Sequence, residues 1–262
     1  MRAPQANAHH PLRSLHALRP LHAEWTKLRT LPSTWWLLAA LVALTLAVGA
    51  AAVAPVAAGV CPGGSCDEDT VKLSLTGVWM GQAACLILGV LTMGAEYGTG
   101  TIRTTLTAMP TRWRVLASKA TVLALLTAAG GALGVLASVF LADALLPDYA
   151  PALRPTLGSV LCLALVALLG LALATMLRDT SAAITLGLGI LYVVPLLVTL
   201  IPSPTWQHRL ERWAPMPAAL SIQSTRHLAD LPIAPWPGLG VLAAYAAGLL
   251  LLGALLFRTR DA

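Results

Sequence analysis

The residues of this chain that could carry covalent, metal or phosphoryl chemistry are few, and their positions exclude most of it. Only three lysines occur, Lys27, Lys72 and Lys119, and they follow Thr26, Val71 and Ser118. A phosphate-cradling loop needs Gly-Lys-[Ser/Thr], whose backbone N–H groups and lysine hold the phosphates. The chain has none, so any ATP hydrolysis must come from another polypeptide. The six histidines (His9, His10, His16, His22, His208 and His227) lie outside the long apolar stretches described below, and no His-Glu-x-x-His occurs. That weighs against an intramembrane metalloprotease, and a membrane serine protease would lack a base buried beside its nucleophile. Cys61 and Cys66, in Cys61-Pro-Gly-Gly-Ser-Cys66 beside Asp67, Glu68 and Asp69, fit either a small disulfide in a turn-rich outer loop or two free thiols. Two thiols and one acidic cluster do not complete a metal ligand set. Cys85 and Cys162 fall within apolar stretches and read as packing residues. The chain is expected to hold no catalytic residue, metal or cofactor of its own.

What must position any remaining site is unusually apolar. Of 262 residues 57% are hydrophobic and 11% charged, with mean hydropathy +0.76, where a soluble domain carries about 25% charged residues. Six stretches contain no Asp, Glu, Lys, Arg or His: 35–58, 73–95, 120–142, 157–177, 182–201 and 237–257. About 20 apolar residues of helix cross a hydrocarbon core of about 30 Å. One such stretch could be the buried helix of a soluble protein; six could not. They do not alternate as barrel strands do, and helices satisfy their own backbone in lipid. The expected fold is an all-α integral membrane protein of six transmembrane helices, the third starting near 116. The first stretch lies behind a basic segment and exceeds a signal-peptide core, so it reads as a retained span.

Six spans put both ends of the chain on one side. Arg2, Arg13, Arg19, Lys27, Arg29, Arg103, Arg112, Arg114, Lys119, Arg178, Arg258 and Arg260 gather on that face against Glu24, Glu96, Asp179 and Asp261, net +8. The opposite face has five basic residues against seven acids, net −2. The basic face is expected to be cytoplasmic, so the formal charge of +6 reports topology and anionic lipid, not nucleic acid. Trp25, Trp35, Trp36 and Trp113 fall near the inner interface, and Trp79, Trp206, Trp213 and Trp236 near the outer one, as aromatic belts do. The implied organisation is a cytoplasmic tail (1–19), an interfacial helix (20–32), a six-helix transmembrane domain (33–258) and a cytoplasmic C-terminus (259–262).

Pro20 suits the first position of that interfacial helix, and Leu21, Trp25 and Leu28 recur at i, i+4, i+7 with Lys27 off that face. Pro32 ends the run. The second cytoplasmic segment runs from Glu96 to Lys119. Gly98 and Gly100 can stop span two by taking positive φ, Thr101 can cap a short helix, and Pro110 closes it. Ile102, Leu106 and Met109 would form an apolar ridge beside Arg103, needing lipid or a partner to cover it. Arg112, Trp113 and Arg114 anchor the start of span three. Glu96 can alternatively form an interfacial ion pair with Arg103 or Lys119.

The Glu96–Lys119 segment, together with Glu24-Trp-Thr-Lys-Leu-Arg-Thr-Leu-Pro-Ser-Thr-Trp-Trp36, resembles bacterial ABC-2 type transporter permeases. The resemblance extends in layout to the whole chain: a flat N-terminal helix, six spans and a long outer loop before the last. It implies an ABC-2 (type V exporter-like) permease fold in the cell inner membrane, a homodimer of two such chains, and a separate ATP-binding cassette subunit carrying ATP and Mg. Thr101 to Met109 would be the coupling helix that docks on the ATPase, Gly98 and Gly100 its hinge, and Glu96 an acidic residue that transmits motion. The implied function is efflux of a lipophilic or amphipathic substrate such as a drug, lipid or natural product.

The spans' own polar groups include Gln82, Thr92, Tyr192 and Tyr245, which could line a pathway or bond across helices. Gly77/Gly81 and Gly130/Gly134 suit close helix contact. In the outer loop 202–236, Trp206, Leu210 and Trp213 at i, i+4, i+7 predict one short helix, and a second is expected over about 218–230; the resemblance implies outer or re-entrant helices capping the exit there, and the residues alone fit an amphipathic lid equally. Absence of mid-span charge disfavours a proton-driven carrier. A carrier using a sodium or substrate gradient and a non-transporting scaffold or sensor subunit stay as alternatives.

Overall fold

The computed structural model describes residues 12–60, 69–102, 104, 107, 112–147 and 149–259. Among these every regular element is helical. Helix α1 is Leu12–Thr30 and α2 is Pro32–Ala57. Pro20 therefore lies inside α1 and does not open it; it removes one backbone bond without ending the helix. Pro32 is the proline that separates two helices. Its ring forces Leu31 into extended backbone (φ −81°, ψ 119°) and opens α2 at a position where its missing N–H costs nothing.

Short α3 (Thr70–Ser74) leads into α4 (Gly77–Gly98), and α5 runs Arg112–Leu145. Helix α6 (Leu153–Leu177) ends where Arg178 adopts a left-handed conformation (φ 57°), and Asp179 then caps the next helix by accepting from the Ala182 N–H. That next crossing comes in three pieces: α7 (Thr180–Leu188), a π-helical turn (Gly189–Val193) and α8 (Val194–Thr199). Pro195 has no N–H to give, and the ladder ahead of it widens. Helices α9 (Pro204–Trp213), α10 (Pro215–Leu220) and α11 (Pro235–Thr259) complete the chain. Six helical segments are long and apolar enough to cross a membrane: Pro32–Ala57, Thr70–Gly98, Trp113–Leu145, Leu153–Leu177, Thr180–Thr199 and Pro235–Leu256. They overrun several of the charge-free windows, because interfacial residues such as Trp113 and Arg154 are tolerated in a helix end.

The second and fourth of these crossings are central, each 67% buried over its most apolar stretch against 22% for the fifth and sixth. They meet backbone to backbone. A methyl added at Gly89 would lie 2.0 Å from the Ala167 carbonyl oxygen, and one at Gly170 would lie 2.4 Å from that of Leu86. Gly77, Gly81 and Gly134 all close on Thr45 of α2, so the two small-residue pairs converge on one neighbouring helix.

At the far end of the bundle the 202–236 loop is partly inside it. The second short helix comes earlier than expected, at Pro215–Leu220, followed by a 3-10 turn, Ser221–Gln223. Met216, Ala218, Ala219 and Ile222 are fully buried, so this stretch packs into the bundle, while α9 before it has no buried residue. Gln223 donates to the Ser159 hydroxyl (3.2 Å), and Arg154 donates to the Ser224 carbonyl.

Asp69 ties this loop to the one before α3. It accepts from the Thr225 N–H (2.5 Å), the Thr225 hydroxyl (2.7 Å), the Arg226 N–H (3.0 Å) and the Lys72 N–H (3.1 Å). Burial pushes its carboxyl up, but the Thr225, Lys72 and Arg226 bonds outweigh that and hold it below the usual carboxylate value. A lowered pKa means the clamp is intact above about pH 4 and loosens as pH falls through the depressed value. Asp69→Asn is expected to speed amide exchange of Thr225 and Arg226 about tenfold at neutral pH, read by hydrogen-exchange mass spectrometry. Wild-type exchange, corrected for intrinsic rates, should rise only in acid.

Candidate functional site

Four of the chain's ionisable residues assemble a largely buried square at the α1 end of the bundle. Lys119, on the second turn of α5, donates to Glu24 Oε2 and to Glu96 Oε1, both at 2.7 Å. Lys27 donates to Glu96 Oε1 at 2.9 Å and to Glu24 Oε1 at 3.2 Å. Two carboxylates and two ammoniums thus bridge each other and balance in charge. Glu24 and Lys119 are each 1% exposed, so their partners are obligatory: a lone buried charge would cost several kcal/mol. Lys27 is the half-exposed corner. Burial pulls its pKa down, yet the hydrogen bond it donates to Glu96 and the charges of both glutamates outweigh that and raise it. Its charge is lost only as pH climbs past the normal lysine range, so this corner stays charged across neutral pH.

Three elements supply these groups. Glu96 lies on the last turn of α4 and Lys119 near the start of α5, on either side of the 99–111 segment, while Glu24 and Lys27 come from α1. The buried face of α1 differs from the expected stripe. Leu28 is buried, but Trp25 is turned out at 43% exposure, Leu21 is half-buried, and the residue facing inward with Leu28 is Glu24, one turn before it. A search for an apolar stripe passes over a carboxylate. No local signal marks Glu24; complementary charge at the window edges marks only the other two, since Glu96 directly follows the stretch 73–95 and Lys119 directly precedes 120–142.

The neighbouring segment is described only in part. Arg103, Leu106, Met109 and Pro110 lie outside the described residues, as does the side chain of Arg112. Ile102, Thr104 and Thr107 are helical. Ile102 is 4% exposed and packs in the chain's own core, so it does not belong to a ridge offered outward. Thr101, Thr104 and Thr107 are exposed instead. Of the two glycines expected to take positive φ, Gly100 does (+70°) and Gly98 is the last helical residue of α4. The Thr99 and Thr101 hydroxyls bond at 2.9 Å.

The intramembrane polar residues do not share one cavity. Thr92 donates to the Leu88 carbonyl and lines a cavity beside the ion square. Tyr245 lines a separate cavity of about 320 Å³ with Leu210 and Trp213. Tyr192 donates to the Trp79 carbonyl at 2.7 Å, its ring 5.5 Å from the indole. Gln82 is fully buried, and its amide meets no hydrogen-bond partner among the described residues. Cys85 and Cys162 are buried free thiols; Cys61 and Cys66 lie outside the described residues.

The described residues define a helical protein with six helices of membrane-crossing length and one buried polar cluster at the end where its first helix docks. Comparison with known protein families and with curated proteins gives no match in either.

Proposed function

We propose that the chain is the membrane-spanning permease subunit of an ABC-2 type exporter, working as a homodimer with two separate ATP-binding subunits. Its α1 end faces the cytoplasm of the cell membrane, and its cargo is lipophilic or amphipathic. The observation that supports this most is the ion square. It joins both flanks of the 99–111 segment to α1, so a push on that segment reaches α1, α4 and α5 together. A subunit driven from outside by a motor needs such a rigid junction, because displacement dissipates in a loose loop. The chain's lack of a phosphate-binding loop leaves ATP hydrolysis to the partner.

The test is co-purification with the ATP-binding subunit encoded beside it. Arg103→Glu and Leu106→Glu are expected to abolish complex formation or ATPase stimulation. If both variants assemble and stimulate like the wild type, the segment is not the docking element. Thr104→Cys, at an exposed position, should react with impermeant thiol reagent only from the cytoplasmic side. Labelling from outside would remove the basis of the mechanism.

A further inference from the structure

A cavity of about 470 Å³ opens beside the ion square, inside the roughly 300–1,000 Å³ that small-molecule sites occupy. Leu28, Leu31, Leu88 and Leu91 give it an apolar side, and the hydroxyls of Ser33 and Thr99 line it as well. All four charges of the square border it, yet only one can be reached. The side chains of Glu24 and Lys119 are 1% exposed and that of Glu96 is 10%, against 43% for Lys27. Glu96 Oε2 takes no hydrogen bond from the described residues but is itself shut away from solvent. A cation entering the cavity would find no carboxylate to meet. An anion would find an ammonium with three N–H donors, of which the glutamates use two.

We propose that this cavity binds an anionic amphiphile, a phosphate or carboxylate on a hydrocarbon chain, with its head on Lys27 and its chain along the leucines. The head competes with Glu24 and Glu96 for Lys27, whose bonds to them, at 3.2 and 2.9 Å, are longer than the 2.7 Å bonds of Lys119. Occupancy therefore loosens the corner contributed by Lys27 and leaves Lys119 holding the square. Ligand arrival at the membrane surface is thereby communicated to the junction of α1, α4 and α5. The site goes beyond the transporter reading and needs no ATP-binding partner.

The experiment uses the full chain in phosphatidylcholine nanodiscs and a lysophosphatidylglycerol with a photoactivatable acyl chain, compared with the lysophosphatidylcholine of the same chain. Expected is saturable labelling by the anionic probe, mapped to 88–95, with the choline probe weaker. Lys27→Gln should weaken the anionic probe about tenfold, and Lys27→Arg should retain binding. Because Lys27→Gln also alters the square, Leu91→Trp provides a second check: it fills the cavity, keeps all four charges, and should abolish labelling. Equal labelling by both probes, or labelling indifferent to both substitutions, overturns the proposal. Competition by glycerol phosphate as effective as by the unlabelled lysolipid would reduce the site to a free-phosphate site and overturn the amphiphile assignment.

Discussion

Lys119→Met is expected to destabilise the fold by about 3–5 kcal/mol, the cost of leaving a buried charge without its partner. The methionine fills much the same space, so the loss is electrostatic. Glu24, 1% exposed, would keep only the 3.2 Å contact to half-exposed Lys27, and Glu96 would share that same ammonium. Two carboxylates facing one reachable cation cannot both stay ionised cheaply. The double variant Lys119→Met/Glu24→Met should recover most of the loss, since Glu96 and Lys27 then form a balanced pair and apolar replacement of a buried ion pair is often neutral. Denaturant titration of the detergent-solubilised protein reads both. A single-variant loss below about 1 kcal/mol, the value of an exposed pair, would mean that water reaches the square.

This cluster marks where the sequence stops being readable. The crossings were legible because a bilayer imposes length and excludes charge, and stretches such as 157–177 satisfy both conditions without reference to any other part of the chain. Glu24 satisfies no local rule. On the helix wheel of α1 it reads as a solvated carboxylate, and the buried ammonium that makes its burial tolerable, that of Lys119, lies 95 positions away. Lys119 was one of the two ion-pair partners expected for Glu96, both being charges at window edges on one side, and the pair is present at 2.7 Å; pairing either with α1 required the fold. Ile102 was misread for the related reason that an apolar residue on a short helix is equally ready to face a partner or its own core. The outer loop differed for a chemical reason: Pro215 starts a helix where Ala214 is extended, which moves the second short helix ahead of 218–230.

Gly89→Leu is the second large effect. Even the first carbon of the new side chain would lie 2.0 Å from the Ala167 carbonyl oxygen and 3.1 Å from the Leu171 nitrogen. The obstacle is backbone, which cannot rotate aside, so α4 and α6 must separate. Overpacking costs about 1–3 kcal/mol where side chains yield, and here the expected loss is at the upper end or beyond it. In lipid, association of helices depends on such close packing, so the central contact is where the loss is felt most. Gly98→Ala is the matched control. Nothing lies within 4 Å of a methyl there, and alanine's helix preference makes the change neutral or favourable by up to about 1 kcal/mol. Equal effects of the two substitutions in the same unfolding assay would show that α4 and α6 are not in backbone contact.

The π-helical turn at Gly189–Val193 has a consequence for phase. Such a turn holds one residue more than an α-helical turn, and each residue of an α-helix advances the azimuth by about 100°. Leu191 and Val198, buried to 0% and 5% exposure, lie on either side of its end, whereas Leu196 and Leu197 are 61% and 56% exposed. Straightening the turn into regular α-helix with every residue kept would swing everything beyond it by about 100°, carrying Val198 out of contact and Leu197 in, whereas deleting one residue from it would leave that phase unchanged. The crossing is therefore indexed from two origins, one at each end, and the widened turn is the join that reconciles them.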